Sequence, residues 1–222
     1  MIRTKLNEAG IDEAVNEAIV VLLRGGIIAY PTETFYGLGV KFDMPGSLKC
    51  LYELKKRPAE KAMPVIIGHK GLLSMLVPEE WLAHLPNEAQ SLMDRFWPGP
   101  LTALFPAKKG LSEFLTAATG MIAVRVPGES FALRLAKKAG FPLTATSANL
   151  SAMPPAVNAE EITHYFGERL DLIIDGGQAR GGLPSTIVDA TGAGIRIVRE
   201  GAILRREIEH CLAQGSVQGE NN

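Results

Sequence analysis

Hydrophobic positions recur at helical spacing near the start of the chain. In the segment 11–23, apolar residues return every three or four positions, and Gly25 and Gly26 follow where the pattern stops. This spacing predicts a helix over 11–23, with Asp12 as a candidate cap. A short apolar run, 27–30, comes next and predicts a buried strand that ends at Pro31.

The same alternation of helical and strand-like patterns continues along the chain. It indicates an α/β fold, in which one twisted open sheet of mixed or mostly parallel strands is flanked by helices. We expect a single domain over 1–205, then a C-terminal helix within 206–222 and a frayed polar tail from Gly215. A second helix is marked by apolar residues at 48–52, opened by Asp43 and Pro45, and leads into a basic run at 55. Further helices are predicted at 79–96 (with a break near Pro86), 130–139, 159–166 and from Arg205, and strands at 64–67, 101–105, 122–126, 142–145, 172–174, 186–188 and 195–198.

Composition and charge are those of an ordinary globular protein. The chain has 222 residues, of which 46% are hydrophobic and 21% charged, with a net charge of −1. These values exclude a mainly disordered chain. No apolar run near the start approaches the ~20 residues of a membrane span, and no signal peptide is expected. Cys50 and Cys211 have no metal-ligand or disulfide spacing, so we expect a cytoplasmic protein that does not interact with a membrane.

Three polar segments follow predicted strands or helices and are candidates for chemistry. The first, 31–39, contains Thr32, Glu33, Thr34 and two glycines. Such a loop after a strand suits the close approach of a small polar ligand, because ligand crevices of open α/β sheets lie there. The alternative is a turn in which the threonine hydroxyls only bond the backbone. The segment contains neither a P-loop nor a dinucleotide-binding glycine pattern.

The second segment is a basic run, 55–61, at the place where a predicted helix must end before Pro58. It includes Lys55, Lys56, Arg57 and Lys61. Arg57 can bind a phosphate through two parallel hydrogen bonds, and the lysines can act as point charges. The alternative is a solvated helix end, where cations interact favourably with the helix dipole.

The third segment, 144–151, is a run of hydroxyl side chains that includes Ser147, with one amide, Asn149. It can bind phosphate oxygens or the polar groups of an amino acid, or it can form a local cap or Asx turn. Arg125 lies inside an apolar strand, where an unpaired cation is rare. The candidate partners of Arg125, and of Arg199 at the end of the strand 195–198, are a ligand or a carboxylate such as Glu129 or Asp189.

Together these motifs resemble the YrdC/TsaC family of threonylcarbamoyl-AMP synthases, in its single-domain form. The resemblance extends from about Gly26 to Gly201. The motifs that carry it are PTET-x-YGLG at 31–39, KxRP at 55–58 with Lys61, WPGPLT at 97–102, AVRVP at 123–127, TSANLS at 146–151 and PSTIVD at 184–189.

The resemblance implies a fold with a large concave basic cleft and an enzyme that joins L-threonine, bicarbonate and ATP, with Mg²⁺, into threonylcarbamoyl-AMP and pyrophosphate. This nucleotidyltransferase reaction serves the t6A modification of tRNA. No protein ligand for a metal is expected. By the resemblance, Lys55, Arg57, Ser147 and Asn149 are catalytic; Arg57, Lys61, Ser147 and Arg199 contact ATP; and Thr34, Arg125, Ala145 and Ser185 line the threonine pocket.

Ala152 stands where the family usually has a glycine, and three further positions depart from the longer family members. Ile66, Met121 and Pro155 stand where those members carry a histidine, a threonine and a serine. Two other functions remain open. One is binding of tRNA or other double-stranded RNA by the basic run, and the other is the same fold acting on a different carbamoyl or adenylate substrate. The resemblance also implies a downstream t6A transferase complex as the acceptor of the product.

Overall fold

The computed structural model describes residues 1–7, 10–58, 60–192 and 194–218. Its strands are β1 (Ile2–Lys5), β2 (Ile28–Pro31), β3 (Tyr36–Gly39), β4 (Val65–Ile66), β5 (Leu101–Pro106), β6 (Met121–Arg125), β7 (Leu143–Thr144), β8 (Thr146–Ser147), β9 (Leu172–Asp175), β10 (Thr186–Asp189) and β11 (Arg196–Arg199). Its α-helices are α1 (Ile11–Leu23), α2 (Pro45–Leu54), α3 (Glu79–Leu82), α4 (Asn87–Phe96), α5 (Glu113–Thr116), α6 (Phe131–Ala139), α7 (Ala159–Phe166) and α8 (Arg205–Gln218), and a 3-10 helix spans Lys70–Met75.

The strands form two mixed sheets. One has the order β1-β9-β2-β3-β8, and the other has the order β11-β10-β5-β6-β4-β7. Each sheet combines parallel pairs, such as β1 with β9 and β5 with β10, and antiparallel pairs, such as β2 with β3. The α/β class with mixed strand pairing and flanking helices is therefore confirmed. The strands divide between two sheets, however, where the sequence led us to expect one open sheet.

The two sheets are joined at Ala145. β7 pairs antiparallel with β4 of the six-stranded sheet, and one residue further along the chain β8 pairs antiparallel with β3 of the five-stranded sheet. Between them, the Ala145 N–H donates a hydrogen bond of 2.9 Å to the carbonyl oxygen of Pro64. The chain thus crosses from one sheet to the other within a single residue.

The segment 36–39 is a buried strand, so its prediction as part of a loop was wrong. Tyr36 and Leu38 belong to the core. A Cβ atom at Gly39 would lie 2.8 Å from Cε1 of Tyr30, and one at Gly37 would lie 3.2 Å from Cζ of the same ring. Glycine at these two positions therefore lets β3 pack against Tyr30 of β2. Only residues 32–35 form the connecting turn.

Helix boundaries follow local capping chemistry. The Ser130 hydroxyl accepts a hydrogen bond from the Leu133 N–H at the start of α6. At the start of α7, Oδ1 of Asn158 accepts one from the Glu161 N–H. Both helices begin and end within one residue of the predicted bounds, as does α1. Asp12 is not the cap of α1, because Gly10 occupies that position and Asp12 lies in the first turn. The edge strand β1 was missed.

Buried side chains form two clusters around the sheets. The smaller cluster contains apolar side chains of α1 and α6, and the larger one contains those of α2 and α4. α8 begins at Arg205, as predicted, and packs against α4. It continues to Gln218, beyond Gly215, where the polar tail was predicted to start. The last residues of that predicted tail, 219–222, lie outside the described residues. No helix in the described part of the chain has the length and apolar character needed to span a membrane.

We expect Gly201→Ala to destabilise the protein. A Cβ atom at Gly201 would lie 2.1 Å from the carbonyl oxygen of Pro184 and 2.7 Å from that of Ser185, so the backbone must shift. Such overpacking costs about 1–3 kcal/mol, measured as the free energy of unfolding in urea.

The matched control is Gly46→Ala. Gly46 lies in α2, and a methyl group on its Cα would have no neighbouring atom within 4 Å. Alanine also favours a helix by about 0.5–1 kcal/mol over glycine. This variant should be as stable as the original protein or more so. Equal stability of the two variants would contradict the assigned contact at Gly201.

Candidate active site

A cavity of about 260 Å³ lies where the two sheets meet. Its wall carries three arginines, Arg57, Arg125 and Arg199, and one carboxylate, Glu33. These residues are far apart in the sequence, and the fold brings them together. The predicted site residues in the wall are Thr34, Arg57, Arg125, Ala145, Ser147, Ser185 and Arg199.

Lys55 lies behind this wall and supports it. The residue caps the C-terminal end of α2 and is 2% exposed. Its Nζ donates hydrogen bonds to the carbonyl oxygens of Ser147 and Asn149, the latter at 2.7 Å. The Ser147 hydroxyl in turn donates to Oδ1 of Asn149 at 2.5 Å. The amino group of Lys55 thus fixes the segment that carries Ser147 and Asn149. Lys55 itself is not part of the cavity wall.

Asn149 binds the local backbone. Its Nδ2 donates to the carbonyl oxygen of Leu150 at 2.8 Å and to that of Met153 at 2.6 Å. The interpretation of this segment as a local turn therefore applies to Asn149. Ser147 differs, because it is an exposed residue of β8 in the cavity wall.

Arg57 is oriented by backbone carbonyl groups of the loop that follows it. Its Nε donates to the carbonyl oxygen of Lys61 at 2.8 Å, and its Nη2 donates to that of Ala62 at 2.6 Å. Its Nη1 lies 3.4 Å from the Thr146 hydroxyl. The solvated-helix-end interpretation therefore does not describe Arg57. The exposed side chain of Lys61 lies outside the cavity wall, and Lys61 contributes its carbonyl group.

Arg125 forms an ion pair with Glu33. The Arg125 Nη2 contacts Oε1 of Glu33, and the Arg125 Nε donates to the carbonyl oxygen of Gly99 at 2.9 Å. The partners considered from sequence, Glu129 and Asp189, were wrong for Arg125. Asp189 pairs with Arg196 at 2.8 Å.

Another part of the cavity wall is formed by hydroxyl groups. The oxygen atoms of the Thr102 and Ser185 hydroxyls are 2.8 Å apart. The Arg199 Nη2 donates to the carbonyl oxygen of Ser185 at 2.8 Å. This arrangement holds Ser185 through both its side chain and its backbone. Thr102 was missed as a site residue, although it ends a motif that the sequence analysis singled out.

The two threonines of the 32–35 turn have different roles. The Thr32 hydroxyl donates to the carbonyl oxygen of Phe35 at 2.7 Å and accepts from the Thr34 N–H at 3.2 Å, as a turn-forming residue does. The Thr34 hydroxyl lies 3.4 Å from that of Thr32. Of the three departures from the longer family members, Ile66 is in the cavity wall, whereas Met121 and Pro155 are not.

The two sheets of this α/β protein meet at a small cavity with three arginines, and guanidinium groups are well suited to bind carboxylates and phosphates. A sequence model of the Sua5/YciO/YrdC family, described as "Telomere recombination", matches residues 20–201. The chain belongs to this family.

Individual relatives agree with this assignment. A threonylcarbamoyl-AMP synthase of Pyrococcus abyssi is 35% identical over 190 residues, which are 86% of this chain and 54% of that protein. One of Vibrio campbellii is 35% identical over 185 residues, 83% of this chain and 97% of that protein. The crystal structure of P. abyssi Sua5 complexed with L-threonine has a TM-score of 0.84 and 33% identity, and the match covers 95% of this chain and 60% of that one. The chain thus spans about half the length of the P. abyssi relative.

We expect stability to depend on pH through Lys55. Burial, and secondarily the positive charge of Arg57, lower the pKa of Lys55 from 10.5 to about 7. Between these two values the unfolded chain binds more protons than the folded protein, so this residue makes the free energy of unfolding rise with pH. The measurement is urea unfolding of the original protein and of Lys55→Met at several pH values from 7 to 9.

The comparison removes the contribution of all other titrating groups. The free energy of unfolding of the original protein, minus that of Lys55→Met, should become more positive as the pH rises. Lys49→Met, which changes an exposed lysine of α2, is the control and should give no such trend. A pH-independent difference for Lys55→Met would contradict the lowered pKa.

Proposed function

We propose that this protein is a threonylcarbamoyl-AMP synthase. In this reaction the amino group of L-threonine is carboxylated by bicarbonate with loss of water, and the resulting carbamate attacks the α-phosphorus of ATP with loss of pyrophosphate. The observation that carries the proposal is the convergence of Arg57, Arg125, Arg199 and Ser147 on one cavity. The names of the relatives support it.

Arg57 and Arg199 are suited to bind the phosphates of ATP. Neither has a carboxylate partner in the described residues; both donate to backbone carbonyl oxygens. Their charges are therefore available for a polyanion. Hydrogen bonds to charged groups contribute about 1.5–3 kcal/mol each, and fixed cations also stabilise the charge that moves toward pyrophosphate during the reaction.

Arg125 is suited to bind the carboxylate of the amino acid. It lines the same cavity as Ser185, whose hydroxyl is held by Thr102. Apolar side chains complete the wall, among them Ile66 and Ala132. A guanidinium beside a small apolar surface fits an α-amino acid with a short side chain. Placement of the two reactants in one cavity lowers the barrier because it removes the entropy cost of bringing them together.

Mg²⁺ would be bound mainly by the nucleotide. The described residues contain no group of three or more His, Cys, Asp or Glu side chains that could hold a metal ion. Mg²⁺ commonly binds to substrate phosphates with few protein ligands and retains several waters. When bound, the ion would neutralise phosphate charge, and the cavity arginines would hold the remaining phosphate oxygens. Bicarbonate, the cytoplasmic location, and tRNA and the t6A transferase complex as partners remain predictions.

RNA binding by the basic run is not favoured. Lys55, one of the cations on which it depended, is 2% exposed and bonded to backbone carbonyl groups. It is therefore not available to contact a phosphate backbone. The third hypothesis is that the protein acts on another carbamoyl or adenylate substrate. In that case the reaction would not require threonine, whereas the proposed reaction does.

We expect the purified protein to release pyrophosphate from ATP only when L-threonine, bicarbonate and Mg²⁺ are all present. A coupled pyrophosphate assay measures this, and mass spectrometry identifies threonylcarbamoyl-AMP. Omission of each component in turn is the control. Release that does not require threonine would indicate another substrate, and no release at all would contradict the proposal.

We also expect Arg125→Ala to weaken L-threonine binding by about 2–5 kcal/mol, the cost of breaking a buried charge pair. Isothermal titration calorimetry measures the affinity. The matched control is Arg196→Ala, which removes an arginine from β11 whose side chain is 73% exposed and lies outside the cavity wall. Equal affinities of the two variants would contradict the assigned carboxylate site.

A further inference from the structure

Glu33 has one carboxylate oxygen with partners and one without. Its Oε1 contacts Nη2 of Arg125 and accepts a hydrogen bond of 3.1 Å from the Gly128 N–H. Its Oε2 is shielded from solvent and has no hydrogen-bond partner among the described residues. A buried carboxylate with an oxygen that lacks a donor is unfavourable, so a ligand that supplies a hydrogen-bond donor to Glu33 stabilises it.

The surroundings restrict which ligand this is. Glu33 is the one negatively charged side chain in the described cavity wall, which otherwise carries Arg57, Arg125 and Arg199. An anion would be repelled by Glu33. A positively charged group would be repelled by the arginines everywhere in the cavity except beside this carboxylate.

A backbone feature keeps the carboxylate in place. A Cβ atom at position 128 would lie 3.3 Å from Oε1 of Glu33, so glycine leaves the room that this contact needs. Arg125 is fixed separately by the carbonyl oxygen of Gly99, at 2.9 Å. The wall thus holds a cation and an anion side by side, in positions that are set by different parts of the chain.

We propose that the carboxylate of Glu33 binds the α-ammonium group of the amino-acid substrate, while Arg125 binds the carboxylate of that substrate. This inference rests on the proposed function and deepens it. An α-amino acid is a zwitterion, and its two charges are complementary to the neighbouring charges of Arg125 and Glu33. The pair therefore selects an amino acid over a simple carboxylic acid.

A purely supporting role of Glu33 is the alternative. In that case Glu33 only orients Arg125, and its removal weakens the binding of every carboxylate to the same degree. The two roles are separated by two ligands: L-threonine, and (R)-3-hydroxybutanoate, which has the same carboxylate and hydroxyl groups but no amino group.

The test is the variant Glu33→Gln. Its amide oxygen can keep the contacts with Arg125 and Gly128, but the negative charge is lost. NMR titration should show that L-threonine affinity falls about 10- to 100-fold, as expected for one lost charged hydrogen bond, while (R)-3-hydroxybutanoate affinity stays equal or rises, because the negative charge that repels this anion is gone. Glu129→Gln is the control, because Glu129 is exposed and lies outside the cavity wall, and it should leave both affinities unchanged.

Each other outcome overturns the inference. An equal loss for both ligands shows that Glu33 only orients Arg125. Unchanged threonine affinity shows that the ammonium group binds elsewhere. Failure of the original protein to bind threonine, with its circular dichroism spectrum intact, refutes the proposed function and this inference together. Threonine-dependent pyrophosphate release by the original protein separates that failure from a failure of Glu33 alone.

Discussion

The buried amino group of one lysine holds the cavity wall together. Lys55, at the end of α2, bonds the carbonyl oxygens of Ser147 and Asn149, and this contact fixes β8. β8 pairs with β3, which leads back to the turn with Glu33 and Thr34. A buried polar group is costly unless it is hydrogen-bonded, so the carbonyl groups must stay within hydrogen-bond distance of the Lys55 nitrogen. One helix end thereby determines the position of two strands and of the turn between β2 and β3.

The cavity arginines share a mode of support but differ in charge balance. Backbone carbonyl groups orient each of them: Lys61 and Ala62 hold Arg57, Gly99 holds Arg125 and Ser185 holds Arg199. Carbonyl oxygens fix a guanidinium without neutralising it. Arg57 and Arg199 therefore keep a full positive charge toward the cavity, whereas Arg125 shares its charge with Glu33. The cavity thus has one strongly positive region and one that is nearly neutral but polarised.

Local features of the sequence were enough to predict much of the fold, and the family resemblance added many of the residues that line the cavity. The bounds of α7 and the stop of α6 at Gly140 depend on capping and on a left-handed glycine, which are readable from a few neighbouring residues. β3 was not predicted, because its glycines make sense only beside Tyr30. The burial of Lys55 and the pairing of Arg125 with Glu33 were also missed, because each joins segments that are distant in the sequence.

The crossing of the chain at Ala145 has a consequence for how a ligand is accommodated. No flexible connection separates β7 from β8, so the two sheets cannot slide past each other without breaking the hydrogen bond between Ala145 and Pro64. The ligand site is therefore preorganised, and little conformational entropy is lost at this wall when a ligand binds. Ala145 also presents only a methyl group to the cavity, so any larger side chain at this position would set a stricter upper limit on ligand size.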